Sequence, residues 1–547
     1  RRTLENARTM QRNFIARYLN GSRGGALKDA ALVAFYSDDC EDWRFSLVRM
    51  DYVLDEEKQK VHKELTPARR YSFLVGKHEK THTVRRQLLP VLQSETETTL
   101  AELEAAFNIE TVTKEFFEKY KALYLSLKDA LEKHLEKDGK TKAEFETKVI
   151  KTEDFAKRLL GQIVFLYFLQ KKGWLGVTKG KEWGTGPKDF LQALYRSEYG
   201  EYRNFFNDVL EPLFYEALAT ERHDNYYDHL KCRIPFLNGG LFEAIRNYDW
   251  VNTDILLDNA IFKEIFEVFD LYNFTVREDE PLDKEVAVDP EMLGKVFENL
   301  IPENERKGSG TYYTPREIVH YMCQESLINY LDAKLNIESR PVEELGQQSL
   351  LPDLAKTDLL TKYEDVYIPV VPREDLAEFI YHGDVAQEHD ATAEVKNQRE
   401  DYKGIYQHKI PESVRKYAQH IDDALAHVKI CDPAIGSGAF PVGVMNEIVR
   451  ARGALTSYLG SDGRTPYDFK RHAIQESIYG VDLEPSAVDI AKLRLWLSLV
   501  VDEDDFGTIK PLPNLEYKIL SGNSLLGIEN NLFNSSEFRR LEKLKSR

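Results

Sequence analysis

Apolar residues along this chain change their period from one region to the next. Ala30–Tyr36 and Trp43–Leu54 are short apolar runs, the second partly alternating, and Tyr71–Val75 is a third; these predict strands. From Leu100 to Leu135 apolar positions recur at helical spacing with Glu and Lys between them. Phe155 to Phe168 repeats that pattern more strongly, with Phe155, Leu159, Leu160, Ile163, Val164, Tyr167 and Phe168 on one broad face. Gly239-Gly240 marks a tight turn among packed aromatics. Asp289-Pro290-Glu291 predicts a helix start, with Asp as N-cap and Pro at the first helical position; Leu293, Val296, Phe297 and Leu300 follow on one face. From Val428 onward the pattern alternates: strand Val428–Asp432, helix Phe440–Arg452, strand Ile478–Asp482, apolar helix Ser486–Val501, strand Tyr517–Leu520. Such alternation predicts a parallel α/β sheet with right-handed crossovers.

These changes divide the chain into a small α+β module over 1–94, a mostly helical domain over 95–284, and an α/β domain over 285–547. A charged, weakly patterned stretch at about 332–427 is expected to be an insertion at the surface. The longest apolar run, Ile163 to Leu169, is far short of the ~20 residues that span a bilayer. The 547 residues carry a net charge of −18, which counts against a simple basic nucleic-acid clamp but leaves room for segregated charge. Four cysteines, Cys40, Cys232, Cys323 and Cys431, form no CxxC pair; this fits a reducing cytoplasm and offers no zinc site. The chain begins at Arg1 and ends at Arg547 within a polar helical pattern, so a segment of a longer polypeptide is expected.

Three predicted strand ends carry polar groups: Asp432-Pro433-Ala434-Ile435-Gly436-Ser437-Gly438, then Gly480-Val481-Asp482-Leu483-Glu484-Pro485, then Ser521-Gly522-Asn523-Ser524-Leu525. Open α/β sheets bind ligands beyond such ends. A dinucleotide fingerprint has a third glycine and an acid ~20 residues on; here the turn is Gly-Ser-Gly, and Asp482 lies 50 residues after Asp432. Asp432 beside the turn would repel a pyrophosphate and attract an ammonium or sulfonium. Asp482 can accept two ribose hydroxyls, Leu483 can cover an adenine face, and Asn523 can meet its edge. Together these demands describe S-adenosylmethionine. Taken singly, each residue has a plainer reading: another β–turn–α unit, a helix N-terminal acid at Asp482, a turn residue at Asn523. Upstream, Thr311-Tyr312-Tyr313-Thr314-Pro315 follows a Gly-Ser-Gly. Thr314-Pro315 predicts a helix start with Val319, Met322 and Leu327 buried; alone it reads as a capped helix after a loop.

The set resembles the gamma class of DNA adenine methyltransferases, in particular the type IIG restriction–modification methylases and the related phage-exclusion methylases. TYYTP at 311–315, DPAIGSGAF at 432–440, GVDLEP at 480–485 and GNSL at 522–525 occur in that family's order. DPEMLGKVFENL at 289–300, RLLGQIVFLYFLQKKGWL at 158–175 and FLNGGLFE at 236–243 resemble its helical part, so the likeness runs from about 100 to 547. It implies a Rossmann-like sheet that binds S-adenosyl-L-methionine and methylates the amine of a flipped adenine in double-stranded DNA. Thr311, Tyr312 and Thr314 would close over the methionine end. Asp432, Pro433, Ala434, Gly436, Ser437 and Gly438 would surround the methionine moiety. Asp482 would take the ribose, Leu483 the adenine face and Asn523 the adenine amine, where Asp is the commoner residue.

The family's catalytic (N/D)PP(Y/F) run is absent from these 547 residues. The expectation is a chain that binds cofactor but stops before the catalytic loop and the target-recognition domain. Many members also carry an N-terminal nuclease, which would need Mg2+; Asp51 and Glu56-Glu57-Lys58 fit a D…ExK pattern only loosely, and a solvated turn is the plainer reading. A type I modification subunit is a close relative of this reading. A methyltransferase of protein, RNA or a small molecule, and a cofactor-sensing scaffold in a defence complex, are the alternatives.

Overall fold

The computed structural model describes residues 8–21, 27–37, 40–50, 54–55, 60–61, 68–77, 79–237, 240–275, 282–300, 314–341, 363–397, 408–460, 463–502 and 509–526. The fold is mixed α/β, mostly helical, with small sheets. It opens with α1 (Arg8–Leu19), β1 (Ala30–Ser37) and β2 (Cys40–Met50), a short pair β3 (Leu54–Asp55) and β4 (Lys60–Val61), and β5 (Ala68–Gly76). The second strand is described as far as Met50; residues 51–53 of its expected range lie outside the described residues. Asp51, Glu56, Glu57 and Lys58 lie outside the described residues.

One sheet runs β1-β2-β5-β8, and β8 (Asp283–Glu285) arrives from far downstream to lie parallel to β5. One face, with Leu47 and Phe73, joins the helical core beside Phe107. On the other, Val48, Met50 and Ala68 lie under Ile15 and Leu19 of α1. Beside that apolar patch the same face is ionic. Arg44 Nη1 donates to Glu285 Oε2 at 2.8 Å and to Ser72 at 3.1 Å. Arg70 forks onto Asp283 at 3.2 and 2.6 Å. All four charged side chains are at most 4% exposed. Charges that deep persist only when paired and hydrogen-bonded, so the two pairs fix β8 in register. The strand spans the expected 284/285 boundary.

The helical region runs α2 (His82–Leu92), α3 (Leu100–Ala106), α4 (Ile109–Lys137), α5 (Gly139–Thr147), α6 (Thr152–Lys172), α7 (Phe190–Tyr195) and α8 (Asn259–Phe269), with a two-residue hairpin β6 (Tyr226–Tyr227) and β7 (Cys232–Arg233). The helical spacing expected over 100–135 belongs to two helices. Thr99 and Glu102 form a capping box that starts α3, and the Asn108 side chain caps α4 by accepting Glu110 N at 2.8 Å. Helix α6 is the centre of the core; Leu159 to Gln170 are all buried.

Helix α9 (Pro290–Leu300) begins where expected, with Asp289 Oδ1 accepting Met292 N at 2.7 Å. Then come α10 (Arg316–Asn336), the β9 (Ile337–Pro341)–β10 (Tyr363–Tyr367) hairpin, α11 (Arg373–Asn397), α12 (Glu412–Lys416) and α13 (Ala418–His427). The stretch expected at the surface instead builds a second core. Leu376, Phe379 and Ile380 of α11 and Ile421 and Leu425 of α13 pack with Leu327 and Leu331 of α10 and Val444, Ile448 and Leu455 of the next helix. Its apolar positions keep helical spacing, but so many charges separate them that the stripe is hard to see in sequence. On α10, Met322 is 45% exposed, and Cys323 takes the buried place expected for it.

The chain ends in β11 (Ile430–Asp432), α14 (Ala439–Leu459), α15 (Pro466–His472), β12 (Ile478–Asp482), α16 (Pro485–Asp502) and β13 (Ile519–Ser521). The three strands form a parallel sheet in the order β11-β12-β13, pairing Asp432 with Gly480 and Asp482 with Ser521. Helices α14 and α16 pack on the sheet as its crossovers. Ile478 and Ile519 share one face and are buried. Cys431, Tyr479, Val481 and Leu520 share the other, where Cys431 is exposed and Leu520 is 45% exposed.

One buried group away from the sheet titrates unusually. Glu211 sits between two π-helical segments, Phe206–Leu210 and Leu213–Leu218. It accepts Tyr248 OH at 2.5 Å, and its other oxygen has no protein partner among the described residues. Burial pushes its carboxyl from an ordinary 4.5 up to about 9. Between those values the folded chain keeps a proton that the unfolded chain releases, so this group makes stability fall as pH rises. Glu211→Gln is expected to shrink the difference in melting temperature between about pH 5 and about pH 8.5, with the variant the more stable at the higher pH. Parallel pH profiles for the two proteins would refute the assignment.

Candidate functional site at the strand ends

The carboxyl ends of β11, β12 and β13 meet at Asp482. Its Oδ2 accepts Gly436 N at 2.8 Å, from the turn after β11. Its Oδ1 accepts Glu484 N at 3.0 Å, and its carbonyl accepts Gly522 N at 2.8 Å, from the turn after β13. One acidic residue thus ties together all three segments that the sequence marked.

The turn after β11 is built for close approach. Asp432 Oδ1 accepts Ala434 N at 3.0 Å, which closes the first bend. Ile435 N donates to Val481 O at 3.0 Å, and the Ile435 side chain is buried over Gly480, where a Cβ would overlap its Cδ1. Gly436 and Gly438 have φ of +52° and +81°, the left-handed region that favours glycine. Gly438 also packs on Ala491 of α16, which would stand 3.0 Å from a Cβ. Among the described residues, nothing stands within 4 Å of a Cβ placed on Gly436 or Gly522. Pro433 and Ala434 are exposed, and Ser437 is half-buried with its carbonyl accepting Arg494 Nη1 at 3.0 Å.

Burial raises the Asp432 carboxyl above the usual range; the Ala434 amide opposes this and the Asp482 charge adds to it. Two carboxylates at one sheet edge make a field that favours a cationic group. Leu483, beside Asp482, is 63% exposed and offers an apolar surface. Asn523 is exposed, and its Oδ1 accepts Leu525 N at 3.0 Å, so its amide NH2 faces no protein acceptor among the described residues. Glu484 accepts Ser486 Oγ at 2.5 Å and lies 3.8 Å from Lys157 of α6, and Arg158 lies 3.7 Å from Asp489; these tie the end of β12 to the helical region.

Thr314 is half-buried immediately before α10, which lies along α14: Cys323 Sγ contacts Phe440 O at 3.7 Å, and His320 meets Glu447 at 2.6 Å. Thr311 and Tyr312 lie outside the described residues. Sequence reading passed over Gly294 of α9 and Arg494 of α16, both of which press on Ser437. Each left a trace: a glycine inside a helix, and a charge inside an apolar one.

No family model matches the chain. It is 30% identical over 456 residues to a Methanocaldococcus jannaschii protein provisionally named a type II restriction enzyme and methyltransferase; the match covers 77% of this chain and 33% of that protein. The chain thus spans about a third of the length of the curated relative it matches. Among solved structures it is similar to the type IIL restriction–modification enzyme MmeI in complex with DNA, with 16% identity and a TM-score of 0.42, over 79% of this chain and 42% of that one.

The packing of Ile435 over Gly480 gives a direct check on the turn. Gly480→Ala is expected to cost about 1–3 kcal/mol, the usual range for overpacking, and to lower the melting temperature. Gly522→Ala, which meets no described residue within 4 Å, is expected to leave it near wild type. Equal melting temperatures for wild type and Gly480→Ala would show that the two residues do not pack as described.

Proposed function

We propose that the strand-end site binds S-adenosyl-L-methionine and that the chain is the cofactor-binding part of an adenine-specific DNA methyltransferase of the restriction–modification kind. In this reading β11–β13 are three strands of a Rossmann-like sheet. The observation that carries it is the convergence on Asp482: an acid at the end of β12 holds the glycine turn of β11 at 2.8 Å and the end of β13 at 2.8 Å. The likeness to a relative named in part as a methyltransferase supports it.

The residues present fit the cofactor. No described residue stands within 4 Å of a Cβ placed on Gly436 or Gly522, which leaves a cradle that such atoms would fill. Asp432 uses one carboxylate oxygen on Ala434 N and offers the other to an ammonium or sulfonium. Asp482 receives one backbone amide on each oxygen and keeps lone pairs for two ribose hydroxyls. Leu483 provides an adenine face, Asn523 a donor and acceptor for its edge, and Thr314 a hydroxyl near the methionine end. Pro433, Ala434, Ser437 and Gly438 shape the wall between, and Thr311 and Tyr312 complete the set from outside the described residues.

The cofactor, when bound, supplies an electrophilic methyl group. The protein's part is to hold that group's cationic centre beside Asp432 and to fix its ribose on Asp482, so that an approaching amine meets a fixed target. Double-stranded DNA is the proposed substrate.

Calorimetric titration with S-adenosylmethionine and S-adenosylhomocysteine is expected to show binding that Asp482→Ala weakens by about tenfold or more, about 1.4 kcal/mol. Equal affinity would remove Asp482 from the ribose. Because the Asp432 pKa is raised, binding of the cationic cofactor is expected to weaken as pH falls through it, and Asp432→Asn is expected to bind more weakly with a flatter profile. The target base is read by expressing the gene's complete reading frame in a methylation-free host. N6-methyladenine in the host DNA is expected; N4-methylcytosine in its place, or unmodified DNA, would overturn the adenine assignment.

A further inference from the structure

Helix α9 runs from the N-terminal sheet to the glycine turn of the strand-end site. It follows β8 through Val286, Ala287 and Val288, all buried, with Val286 N donating to Ser72 O of β5 at 2.8 Å. At its start Asp289 and Glu291 are both ion-paired to Arg316, two residues after Thr314, with Asp289 Oδ2 at 3.4 Å. Beyond that first turn Gly294 faces the glycine turn. A Cβ there would stand 2.8 Å from Ser437 Oγ, 3.1 Å from Ser437 Cβ and 3.4 Å from Arg494 Nη1. That Arg494 nitrogen donates to the Ser437 carbonyl, and Arg494 is 2% exposed. Ser437 is therefore held between the bare backbone of α9 and a buried guanidinium of α16.

A glycine in the middle of a helix costs about 0.5–1 kcal/mol relative to alanine, so its presence here needs a reason, and the reason on view is close approach to Ser437. We propose that Gly294 is the positioning residue of the Gly436–Gly438 turn, and that the N-terminal sheet sets the helix that carries it through the ion-paired strand β8. The inference rests on the reading of that turn as part of a cofactor site. It gives strands β1, β2 and β5 a task in that site although they belong to another sheet.

The test measures the dissociation constant for S-adenosylhomocysteine by calorimetry, with the ligand-free melting temperature recorded for every variant. Alanine is the better helix former, which offsets part of the overpacking against Ser437, so Gly294→Ala is expected to fold and to melt no more than a few degrees below wild type. Its dissociation constant is expected to rise about tenfold. Ser437→Gly removes the atoms that the new methyl group meets, so the double variant is expected to bind as Ser437→Gly alone does. A Gly294→Ala affinity within about twofold of wild type, or the same loss persisting in the Ser437→Gly background, overturns the positioning role. Glu285→Gln tests the link through β8. It is expected to weaken binding in the wild-type background and to add nothing to Gly294→Ala; unchanged affinity, or full additivity, overturns that link. Absence of binding by the wild-type protein overturns the cofactor reading itself, and is told apart from the other outcomes because no variant is involved.

Discussion

The arrangement at the sheet edge depends on one hydrogen bond, from Gly436 N to Asp482 Oδ2 at 2.8 Å. It exists because β11 and β12 run parallel, with Asp432 opposite Gly480, so that the turn leaving one strand passes over the end of the next. It also needs Ile435 to settle over a residue without a side chain, which Gly480 supplies, and it needs a left-handed backbone at Gly436. An acid, two glycines and an isoleucine are thus a single solution to one packing problem. The geometry that makes the turn stable also brings the Asp432 and Asp482 carboxylates together at the strand ends.

Most of the candidate site was legible in the sequence because strand-end chemistry is local. Asp432, Gly436, Gly438, Asp482 and Asn523 announce themselves by residue type beside short apolar strands, and the structure brings their segments to one edge. What stayed hidden is long-range. Strand β8 is Asp-Lys-Glu, with no apolar pattern at all, and its place in a sheet is set by Arg44 and Arg70, more than two hundred residues earlier. The second core escaped notice for the opposite reason: Leu376, Phe379 and Ile380 keep a helical stripe, but Glu and Asp residues around them lower the contrast. The break between α3 and α4 was readable in principle, because Asn108 is a good N-cap, yet the apolar period runs straight through it.

Charge is distributed by function as well as by sum. The chain is acidic overall, but several of its buried charges are paired. Arg44 with Glu285, Arg70 with Asp283 and Arg452 with Asp422 are enclosed couples, whereas Asp432 and Asp482 are neighbouring acids with no basic side chain bonded to them among the described residues. A pair of like charges at an open edge costs folding energy unless a ligand of opposite sign arrives, so the net negative balance of the whole says little about this spot and the local imbalance says much.

Strand β8 also fixes a timetable. The sheet that begins at Ala30 cannot be completed until Asp283 has been made, about 200 residues after the end of β5. At the usual pace of roughly 5–20 residues per second that is an interval on the order of 10–40 seconds. Throughout it the edge of β5 is unpaired, and Arg44 and Arg70 lack the carboxylates they are built to meet. A nascent chain in that state presents a charged, open strand edge, the kind of surface that chaperones hold and that mispairs when they do not. The first sheet to be synthesised is therefore among the last parts of the amino-terminal half to close.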